Sequence, residues 1–345
     1  MGDSTENVGA YDAVLLVSFG GPNGPDDVMP FLENVLRGRN VPRERMLEVA
    51  EHYQHFGGKS PINEQSIALL AALRAECLRR GPHLPIYWGN RNWHPLLTDT
   101  LREMADNGVK RGIAFVTSAY SSYSGCRQYR ENIAAACAAL GERAPQIDKI
   151  RAFFNHPGFV EPMAANVVRA LDHFLAAERL DVPVLFTAHS IPTSMADSSC
   201  YASQLAETAR LVAAKAGLTT WQLVFQSRSG PPTQPWLEPD VCDAIRSLHK
   251  QGMTQMVLAP IGFISDHMEV LYDLDTEAAD LCRSLGIKMH RAATVGTDPA
   301  FVGMVRDLIA ERHFNLPQRE AIGVLPACHD ICPLDCCPAP AMRRS

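Results

Sequence analysis

Short, continuously apolar runs alternate along the chain with longer stretches whose apolar residues recur at helical spacing. Strands that are apolar on both faces are typical of parallel sheets covered by helices. The apolar runs predict strands at residues 14–19, 86–88, 113–117, 150–154, 184–188, 223–226, 256–260 and 287–290. The amphipathic stretches predict helices at residues 64–80, 95–107, 127–140, 157–179, 199–216, 238–251, 267–285 and 299–313.

The alternation of strands and helices predicts an α/β protein of two similar Rossmann-like lobes, each a parallel sheet flanked by helices. The segments VLLVSFGGP and VLFTAHSIP both pass from a strand through a short polar turn to a proline, which supports two related lobes with a cleft between them. We expect an N-terminal α/β lobe at residues 11–181 and a C-terminal α/β lobe at 182–297. A terminal helix at 298–314 and a cysteine-rich extension at 315–345 follow.

Composition narrows the class of protein. A chain of 345 residues with 46% hydrophobic and 20% charged residues is ordinary for a folded protein of two lobes. The net charge of −6 argues against a general nucleic-acid binder. No run is apolar and long enough for a transmembrane segment. The first residues, MGDSTENVGAYD, lack the basic and apolar regions of a secretory signal, so we expect a cytoplasmic protein.

Polar and aromatic residues follow the predicted strands, at the carboxyl ends where open parallel sheets bind ligands. The segments after the strands include SFGGP, SAYSSY, HSIP, QSRSG and GFISDHME. No G-x-G-x-x-G sequence follows a strand, and the chain has no Walker A sequence. We therefore expect no nicotinamide, flavin or nucleotide cofactor.

His189 and Glu269 are the residues at these strand ends that best suit metal or proton chemistry. An imidazole at a strand end can simply hydrogen-bond a loop, or it can accept a proton or bind a metal. Glu269, Asp273 and Glu277 recur every four residues, a spacing that is also common on a solvated helix face. Like charges at this spacing repel each other, and a hard divalent cation would compensate them. We favour a metal path because His189 and these carboxylates all follow strands.

The cysteines suggest a second site. Of the ten cysteines, four crowd into one short tail, namely Cys328, Cys332, Cys336 and Cys337. In a reducing cytoplasm such a group indicates a metal or cluster site before it indicates disulfides.

The motifs, taken together, resemble the ferrochelatase family over residues 13–314. The resemblance lies in LLVSFGGP, RGR, HYQHFGGKSPIN, TSAYSSYSGCRQY, FTAHSIP, FQSRSGPPTQPWLEPDV and PIGFISDHMEVLYDLD. GNRNW, together with SFGGP and the C-terminal cysteines, is most similar to the actinobacterial branch, which resembles coproporphyrin ferrochelatases.

The resemblance implies an enzyme, a lyase that inserts Fe²⁺ into coproporphyrin III to form iron coproporphyrin (coproheme) in heme biosynthesis. The partners it implies are coproporphyrin III or a related porphyrin, Fe²⁺ and other enzymes of heme synthesis. Three alternatives stay open: a protoporphyrin IX ferrochelatase, a cobalt or nickel chelatase of the same fold, and a non-catalytic tetrapyrrole or metal carrier. A carrier would need the cleft but not the acidic residues near His189.

Carried onto this sequence, the resemblance implies that His189 and Glu269 face each other across the porphyrin cleft and bind or relay Fe²⁺. It assigns Asp273 and Glu277 to the metal path. It assigns contacts with the porphyrin and its propionates to Ser60, Tyr129, Arg37 and Tyr53. Two positions depart from many relatives: Phe19 replaces a tyrosine that can reach the metal, and His52 replaces an arginine.

The resemblance also implies a 2Fe–2S cluster held by one internal cysteine and three from the tail. The ligands it implies are Cys126, Cys332, Cys336 and Cys337, with Cys328 as the alternate. Four thiolates are the usual ligand set of this cluster, but the same set also suits zinc. A tail of free thiols is the third possibility.

Overall fold

The first lobe is built on a parallel sheet whose four strands have the order β2-β1-β3-β4. The fold is described from a computed structural model, which covers residues 10–38, 41–230 and 233–339. The strands are β1 (Ala13–Ser18), β2 (Ile86–Asn90), β3 (Arg111–Val116) and β4 (Gln146–Lys149). All six residues of β1 are buried because this strand lies in the middle of the sheet, between β2 and β3.

The second lobe repeats this arrangement with a parallel sheet of order β6-β5-β7-β8. Its strands are β5 (Val184–His189), β6 (Trp221–Gln226), β7 (Gln255–Ala259) and β8 (Lys288–Arg291). In each lobe the first strand in sequence is central and the fourth lies at an edge. The predicted fold class, two similar lobes with parallel sheets, is therefore confirmed.

Helices flank both sheets. Those of the N-terminal half are α1 (Pro25–Val35), α2 (Arg43–His55), α3 (Ile62–Arg80), α4 (Leu97–Asp106), α5 (Gln128–Leu140) and α6 (Pro157–Leu171). A π-helical turn, Tyr123–Arg127, leads into α5, and a short 3₁₀ turn, Gly141–Arg143, follows it. The helices of the C-terminal half are α7 (Thr193–Asp197), α8 (Tyr201–Ala216), α9 (Val241–Lys250), α10 (Met268–Tyr272), α11 (Ala279–Ser284) and α12 (Pro299–His313), with π-helical residues Asp273–Ala278 between α10 and α11.

The fourth predicted strand, at 150–154, was wrong. The strand is β4, which ends at Lys149, and the apolar residues after it form no strand. Phe153 stacks on Phe115 at a ring-centroid distance of 5.3 Å and meets Phe159 edge-on at 5.5 Å. This segment is apolar because its side chains fill the core beneath α6, whereas the edge strand itself carries polar residues.

The helix predictions also need correction. Helices α1, α2 and α7 were missed: α1 has a proline, Pro30, inside it, α2 is mostly polar with Ala50 as its buried residue, and α7 has only five residues. The helix predicted at 157–179 ends at Leu171. The helix predicted at 267–285 is present from Met268 to Ser284, but its middle, Asp273–Ala278, is π-helical.

The two lobes share a continuous hydrophobic core that contains residues of both sheets, among them Leu16, Phe115, Phe186 and Val257. Helix α6 packs against α8, and α12 returns to pack against α3 and α6 of the first lobe. The hydroxyl of Tyr120 donates a hydrogen bond of 2.8 Å to the carbonyl oxygen of Ile261. The lobes are thus joined by packing and by polar contacts. The predicted limits of the two lobes along the chain stay predictions.

The described part of the tail runs irregularly along the seam between α8 and the first lobe. The backbone N–H of Ile322 donates to the carbonyl of Asn155 at 2.9 Å, and the N–H of Val324 donates to Glu207 Oε1 at 2.7 Å. Gly323 has φ +89°, and a Cβ there would lie 2.0 Å from Glu207 Oε1, so only glycine fits this approach. Among the helices of residues 10–38, 41–230 and 233–339, none is long and apolar enough to cross a membrane.

Candidate active site

His189 and Glu269, called here the central pair, meet at the carboxyl end of the second sheet. His189 is the last residue of β5, and Glu269 lies in the first turn of α10. The Nε2 atom of His189 lies 3.6 Å from Oε1 of Glu269, and the two side chains are 32% and 45% exposed. Nδ1 of His189 contacts the carbonyl oxygen of Ser190, which fixes the ring so that Nε2 faces Glu269. The central pair is therefore preformed and still open on one side.

His267 joins the central pair from the other side of the carboxylate. Its Nε2 atom lies 3.1 Å from Oε2 of Glu269, so the carboxylate stands between two imidazoles. The ring of Phe263 packs against His267 at 4.6 Å. Sequence reasoning gave His267 no role. Its backbone is extended directly before the short helix α10, which turns its side chain and that of Glu269 into the same space.

The electrostatics of the central pair favour an ion pair. Burial alone would lower the pKa of His189, but the negative charge of Glu269 and hydrogen bonds to Glu269 and Ser190 outweigh it and raise the pKa to about 9. Burial would raise the pKa of Glu269, but His189 and His267 hold it well below its ordinary value. At neutral pH the ligand-free site therefore contains a protonated His189 and an ionised Glu269.

Asp273 continues the acidic path beyond Glu269. Its Oδ2 atom accepts hydrogen bonds from Ser227 Oγ and, at 3.2 Å, from Gln226 Nε2. Burial and the nearby charge of Glu269 raise the pKa of Asp273 to about 6, although the Ser227 and Gln226 hydrogen bonds oppose the shift. The pKa of Glu277 is also raised, by burial and by the charge of Asp240. Neighbouring carboxylates that raise one another's pKa in this way attract a divalent cation.

Arg291, at the end of β8, holds the segment that carries these residues. Its guanidinium donates to both carboxylate oxygens of Asp266 at 3.2 Å and to Asp275 Oδ1 at 2.6 Å. The backbone N–H of Asp266 donates to Gln65 Oε1 of the first lobe at 2.8 Å. The guanidinium of Arg291 therefore holds both ends of the segment that contains His267 and Glu269. Sequence reasoning did not identify this arginine.

Helix α2 brings two predicted residues across the cleft. Burial, followed by the negative charge of Glu269, raises the pKa of Tyr53, which places this phenol near the central pair. Its ring also packs edge-on against Phe31 at 5.8 Å. His52 stacks on Tyr272 of α10, with ring centroids 3.6 Å apart and planes 9° apart. The residue that replaces an arginine thus forms an aromatic contact between the lobes.

The other predicted porphyrin contacts lie elsewhere in the first lobe. Tyr129 is buried beneath Arg91, whose guanidinium lies 4.3 Å from the ring centroid and 5.5 Å from that of Phe19. Ser60 is buried, and its Oγ lies 3.4 Å from the backbone nitrogen of Ile62. Arg37 is exposed just after α1, and Arg39 of the RGR motif lies outside the described residues. The described contacts of Ser60, Tyr129 and Arg37 all lie in the first lobe.

The tail site consists of Cys126, Cys332, Cys336 and Cys337. Hydrogen bonds with Cys332 and Cys337 lower the pKa of Cys126, which lies in the π-helical turn before α5. The Sγ atoms of Cys336 and Cys337 are 3.6 Å apart. Cys337 has φ +52°, a left-handed conformation in which a non-glycine residue is strained. The sharp turn lets neighbouring thiols point to the same side.

Cys328 belongs to a different environment. Its Sγ atom lies 3.4 Å from Nε2 of Gln204, which also hydrogen-bonds Ser121 at 3.1 Å. The described tail thus brings Cys332, Cys336 and Cys337 toward Cys126 and holds Cys328 against α8. Arginine side chains of the first lobe anchor the tail site, with Arg130 Nη1 at 3.4 Å from the carbonyl oxygen of Cys332 and Arg127 Nη1 at 3.5 Å from that of Cys336.

The fold is that of the two-lobed chelatases. The chain is similar to the sirohydrochlorin chelatase SirB from Bacillus subtilis subspecies spizizenii, with a TM-score of 0.53 and 10% identity, covering 88% of this chain and 96% of that one. A second structure, SirB from Bacillus subtilis with Fe³⁺, gives a TM-score of 0.57 at 12% identity, with coverage of 88% and 96%. At these identities the similarity establishes the architecture only.

Sequence comparison establishes the family. The ferrochelatase family model matches residues 11–313, and a ferrochelatase of Rhodopirellula baltica is 60% identical over 95% of this chain and 93% of its own length. The chain therefore belongs to the ferrochelatase family. It is also similar to the coproporphyrin III ferrochelatases of Streptomyces coelicolor, at 55% identity over 96% of this chain and 95% of the relative, and of Mycolicibacterium smegmatis, at 49% over 91% and 93%.

Proposed function

We propose that this chain inserts Fe²⁺ into coproporphyrin III and releases iron coproporphyrin and two protons. The observation that carries the proposal is the central pair, an imidazole and a carboxylate 3.6 Å apart at the carboxyl end of the second sheet, each of which favours the charged form of the other. Membership of the ferrochelatase family supports the reaction. The names of relatives that are 48–55% identical support coproporphyrin III as the porphyrin.

Glu269 is the residue that we assign to Fe²⁺ on arrival. It is ionised, its side chain is 45% exposed, and carboxylate oxygen is a ligand that suits a divalent cation. Asp273 and Glu277 lead toward it as the metal path. Gln226 Nε2 donates to the carbonyl oxygen of Glu269 at 3.1 Å and to Asp273, so it keeps the two acidic residues in a fixed relation.

His189 is the residue that we assign to the pyrrole protons. In the ligand-free site it already holds a proton, because its pKa is about 9. A doubly charged cation beside Glu269 offsets the carboxylate charge and repels the imidazolium, so the proton leaves toward solvent through the exposed edge. The neutral imidazole can then accept a pyrrole proton, and His267 keeps Glu269 ionised during the exchange.

We assign Ser60, Tyr129, Arg37 and Tyr53 to the porphyrin. Support for Tyr53 is its place beside Glu269, whereas Ser60, Tyr129 and Arg37 follow from their motifs. Phe19 offers no oxygen, so any metal contact that relatives make with a tyrosine there is replaced by packing against Phe31 and Arg91. The cleft would hold the macrocycle distorted, so that pyrrole nitrogens point toward the metal.

We propose that the tail site holds a 2Fe–2S cluster on Cys126, Cys332, Cys336 and Cys337. The donor chemistry fits, because four thiolates are the usual ligand set and the contacts of Cys126 with Cys332 and Cys337, and of Cys336 with Cys337, bring four thiols together. When bound, such a cluster supplies iron–thiolate bonds between the tail and the first lobe. The insertion reaction needs no redox change, so we give the tail site a structural or regulatory role.

We place the protein in the cytoplasm. Support comes from the ten cysteines, all of which carry free thiols. Contacts with other enzymes of heme synthesis stay a prediction.

The test is an anaerobic insertion assay with purified protein, in which Fe²⁺ is offered with coproporphyrin III and, separately, with protoporphyrin IX. Absorption and fluorescence report the loss of free porphyrin. We expect repeated turnover and a higher kcat/KM for coproporphyrin III under matched solubility. Parallel reactions with Co²⁺ and Ni²⁺ compare the metals.

Two outcomes would contradict the proposal. A higher kcat/KM for protoporphyrin IX would reject the porphyrin assignment. Tight binding of porphyrin without turnover would indicate a carrier instead of an enzyme.

A further inference from the structure

We propose that His329 is a fifth donor of the tail site and shares one coordination position with Cys336. This inference rests on the proposed tail site, because it concerns which residues of this chain can hold the group there. The donor atoms of His329, Cys332 and Cys336 all lie within 4.8 Å of one another. An imidazole therefore stands beside the thiols, although the family resemblance assigns the site to cysteines alone.

The five donors form an inner and an outer group. Cys126 and Cys337 are buried and hydrogen-bond each other, and Cys332 also bonds Cys126. Cys336 is half-buried and His329 is exposed, and the donor atoms of both lie within 4.8 Å of the Sγ atom of the half-buried Cys332. Cys332 thus belongs to both groups, while Cys336 and His329 are the two candidates for the outer position.

The spacing suits coordination of one metal atom by neighbouring donors. With metal–sulfur bonds of about 2.3 Å, two thiolates on a tetrahedral metal lie about 3.8 Å apart. The Sγ atoms of Cys336 and Cys337 are 3.6 Å apart, close to that distance. The donor atoms of His329, Cys332 and Cys336 lie within 4.8 Å of one another, and the exposed His329 side chain can rotate toward a shared metal atom at little cost in packing.

Imidazole is a competent substitute for a thiolate at such a site. Zinc accepts three cysteines and one histidine, and histidines replace cysteines on one iron of some 2Fe–2S clusters and raise their reduction potential. Loss of Cys336, for instance by oxidation of this half-buried thiol, should therefore leave the site loaded through His329. Loss of an inner cysteine has no such replacement.

The experiment compares anaerobically purified full-length variants: wild type, Cys336→Ser, His329→Ala, the double variant, Cys337→Ser and Cys328→Ser. Iron, sulfide and zinc per chain are measured, together with visible absorption and the reduction potential. Pulsed electron paramagnetic resonance of the reduced proteins detects a nitrogen ligand. Thermal unfolding of each variant confirms that it is folded.

We expect wild type, His329→Ala, Cys336→Ser and the control Cys328→Ser to keep their metal. The metal content per chain of the double variant and of Cys337→Ser should fall about ten-fold or more. Cys336→Ser should show nitrogen coupling and a higher reduction potential than wild type. Cys336→Ser as empty as the double variant, or a loaded double variant, would overturn the role of His329 while leaving the cysteine site intact. A folded wild type without iron, sulfide or zinc would overturn the tail site and His329 together.

Discussion

In the proposed mechanism, the charge state of the central pair decides how Fe²⁺ enters the site. His189 and Glu269 form an ion pair in the ligand-free protein because each stabilises the charged form of the other. Fe²⁺ must therefore compete with a proton on His189. The pKa of His189 in the folded protein, about 9, exceeds its ordinary value of 6.5, so the pair stabilises the fold fully below about pH 6.5, and this stabilisation is lost as the pH rises through about 9.

Glu269→Gln should remove this competition together with the metal ligand. In wild type the KM for a redox-stable metal such as Zn²⁺ should decrease between pH 7 and 9, because His189 loses its competing proton. Without the carboxylate charge the pKa of His189 falls, so this decrease should be absent from Glu269→Gln. We expect kcat to fall about 100-fold. The measurement is steady-state insertion across this pH range with coproporphyrin III.

The matched control is Glu103→Gln, an exposed glutamate on α4. It should keep both the kcat and the pH profile of wild type. A Glu269→Gln protein whose KM still decreases toward pH 9 as in wild type would contradict the ion-pair account.

Asp273→Asn tests the acidic path. Because the pKa of Asp273 is raised to about 6, this residue carries a proton at lower pH and is ionised above it. The KM for metal in wild type should therefore rise as the pH falls below about 6. The variant should have a high KM that does not change in this range, with a smaller effect on kcat.

The control for this path is Asp280→Asn, whose carboxylate is exposed and pairs with Arg283. Its KM should follow that of wild type. A low, unchanged KM in Asp273→Asn would remove this residue from the path.

At the scale of the elements, the guanidinium of Arg291 holds the active-site segment from Asp266 to Asp275. Arg291 is 16% exposed and pairs with both of these aspartates, which lie on either side of His267 and Glu269. Short helix α10 has little packing of its own, with Met268 and Val270 as its buried residues. The position of Glu269 therefore depends on an edge strand that is distant in sequence.

Arg291→Ala should loosen this segment. We expect the free energy of unfolding to fall by about 1–3 kcal/mol, because charged hydrogen bonds of two carboxylates are lost. The kcat should decrease and the decrease of KM toward pH 9 should weaken, since Glu269 is no longer held against His189. Arg291→Lys should restore part of the activity, although it cannot bind Asp266 through two nitrogens.

Arg283→Ala is the control, because this exposed arginine pairs along its own helix with Asp280. It should change stability by less than about 0.5 kcal/mol. Wild-type kcat and pH profile in Arg291→Ala would show that the segment keeps its shape without the cation.

The elements that the sequence predicted well are those whose pattern follows from their own packing. β1 and β5 are buried on both faces, and their apolar runs predicted them to within a residue at each end. The edge strand β4 was misplaced because Gln146–Lys149 is polar and the core-filling residues come after it. His267 and Arg291 were missed as site residues because their roles depend on distances between elements, which no local pattern contains.

At the scale of the whole molecule, a buried ion pair joins the first lobe, α12 and the tail. Arg151, whose side chain is fully buried, pairs with Glu311 of α12 at 2.8 Å and donates to the carbonyl oxygen of Glu320 at 2.9 Å. The two-lobe plan could be predicted from the alternation of strands and helices. The docking of the tail could not, because irregular chain carries no periodic signal.

Glu311→Gln should weaken this junction. Removing one charge leaves Arg151 buried without its partner, which costs about 3 kcal/mol or more. Thermal or urea unfolding measures the loss. Glu161→Gln, which removes one partner of an exposed pair with Lys215, should cost less than about 1 kcal/mol. Equal stabilities of the two variants would contradict the structural role of the buried pair.

The most direct test of the account is the anaerobic insertion of Fe²⁺ into coproporphyrin III by wild type and by His189→Ala, side by side. His189 ends a strand with its side chain 32% exposed, so its removal should leave the fold intact. The account predicts turnover by wild type and a loss of about 100-fold or more in the variant, which stays folded and binds porphyrin although it has lost the stabilising ion pair with Glu269. Near-normal turnover by a folded His189→Ala protein would contradict it.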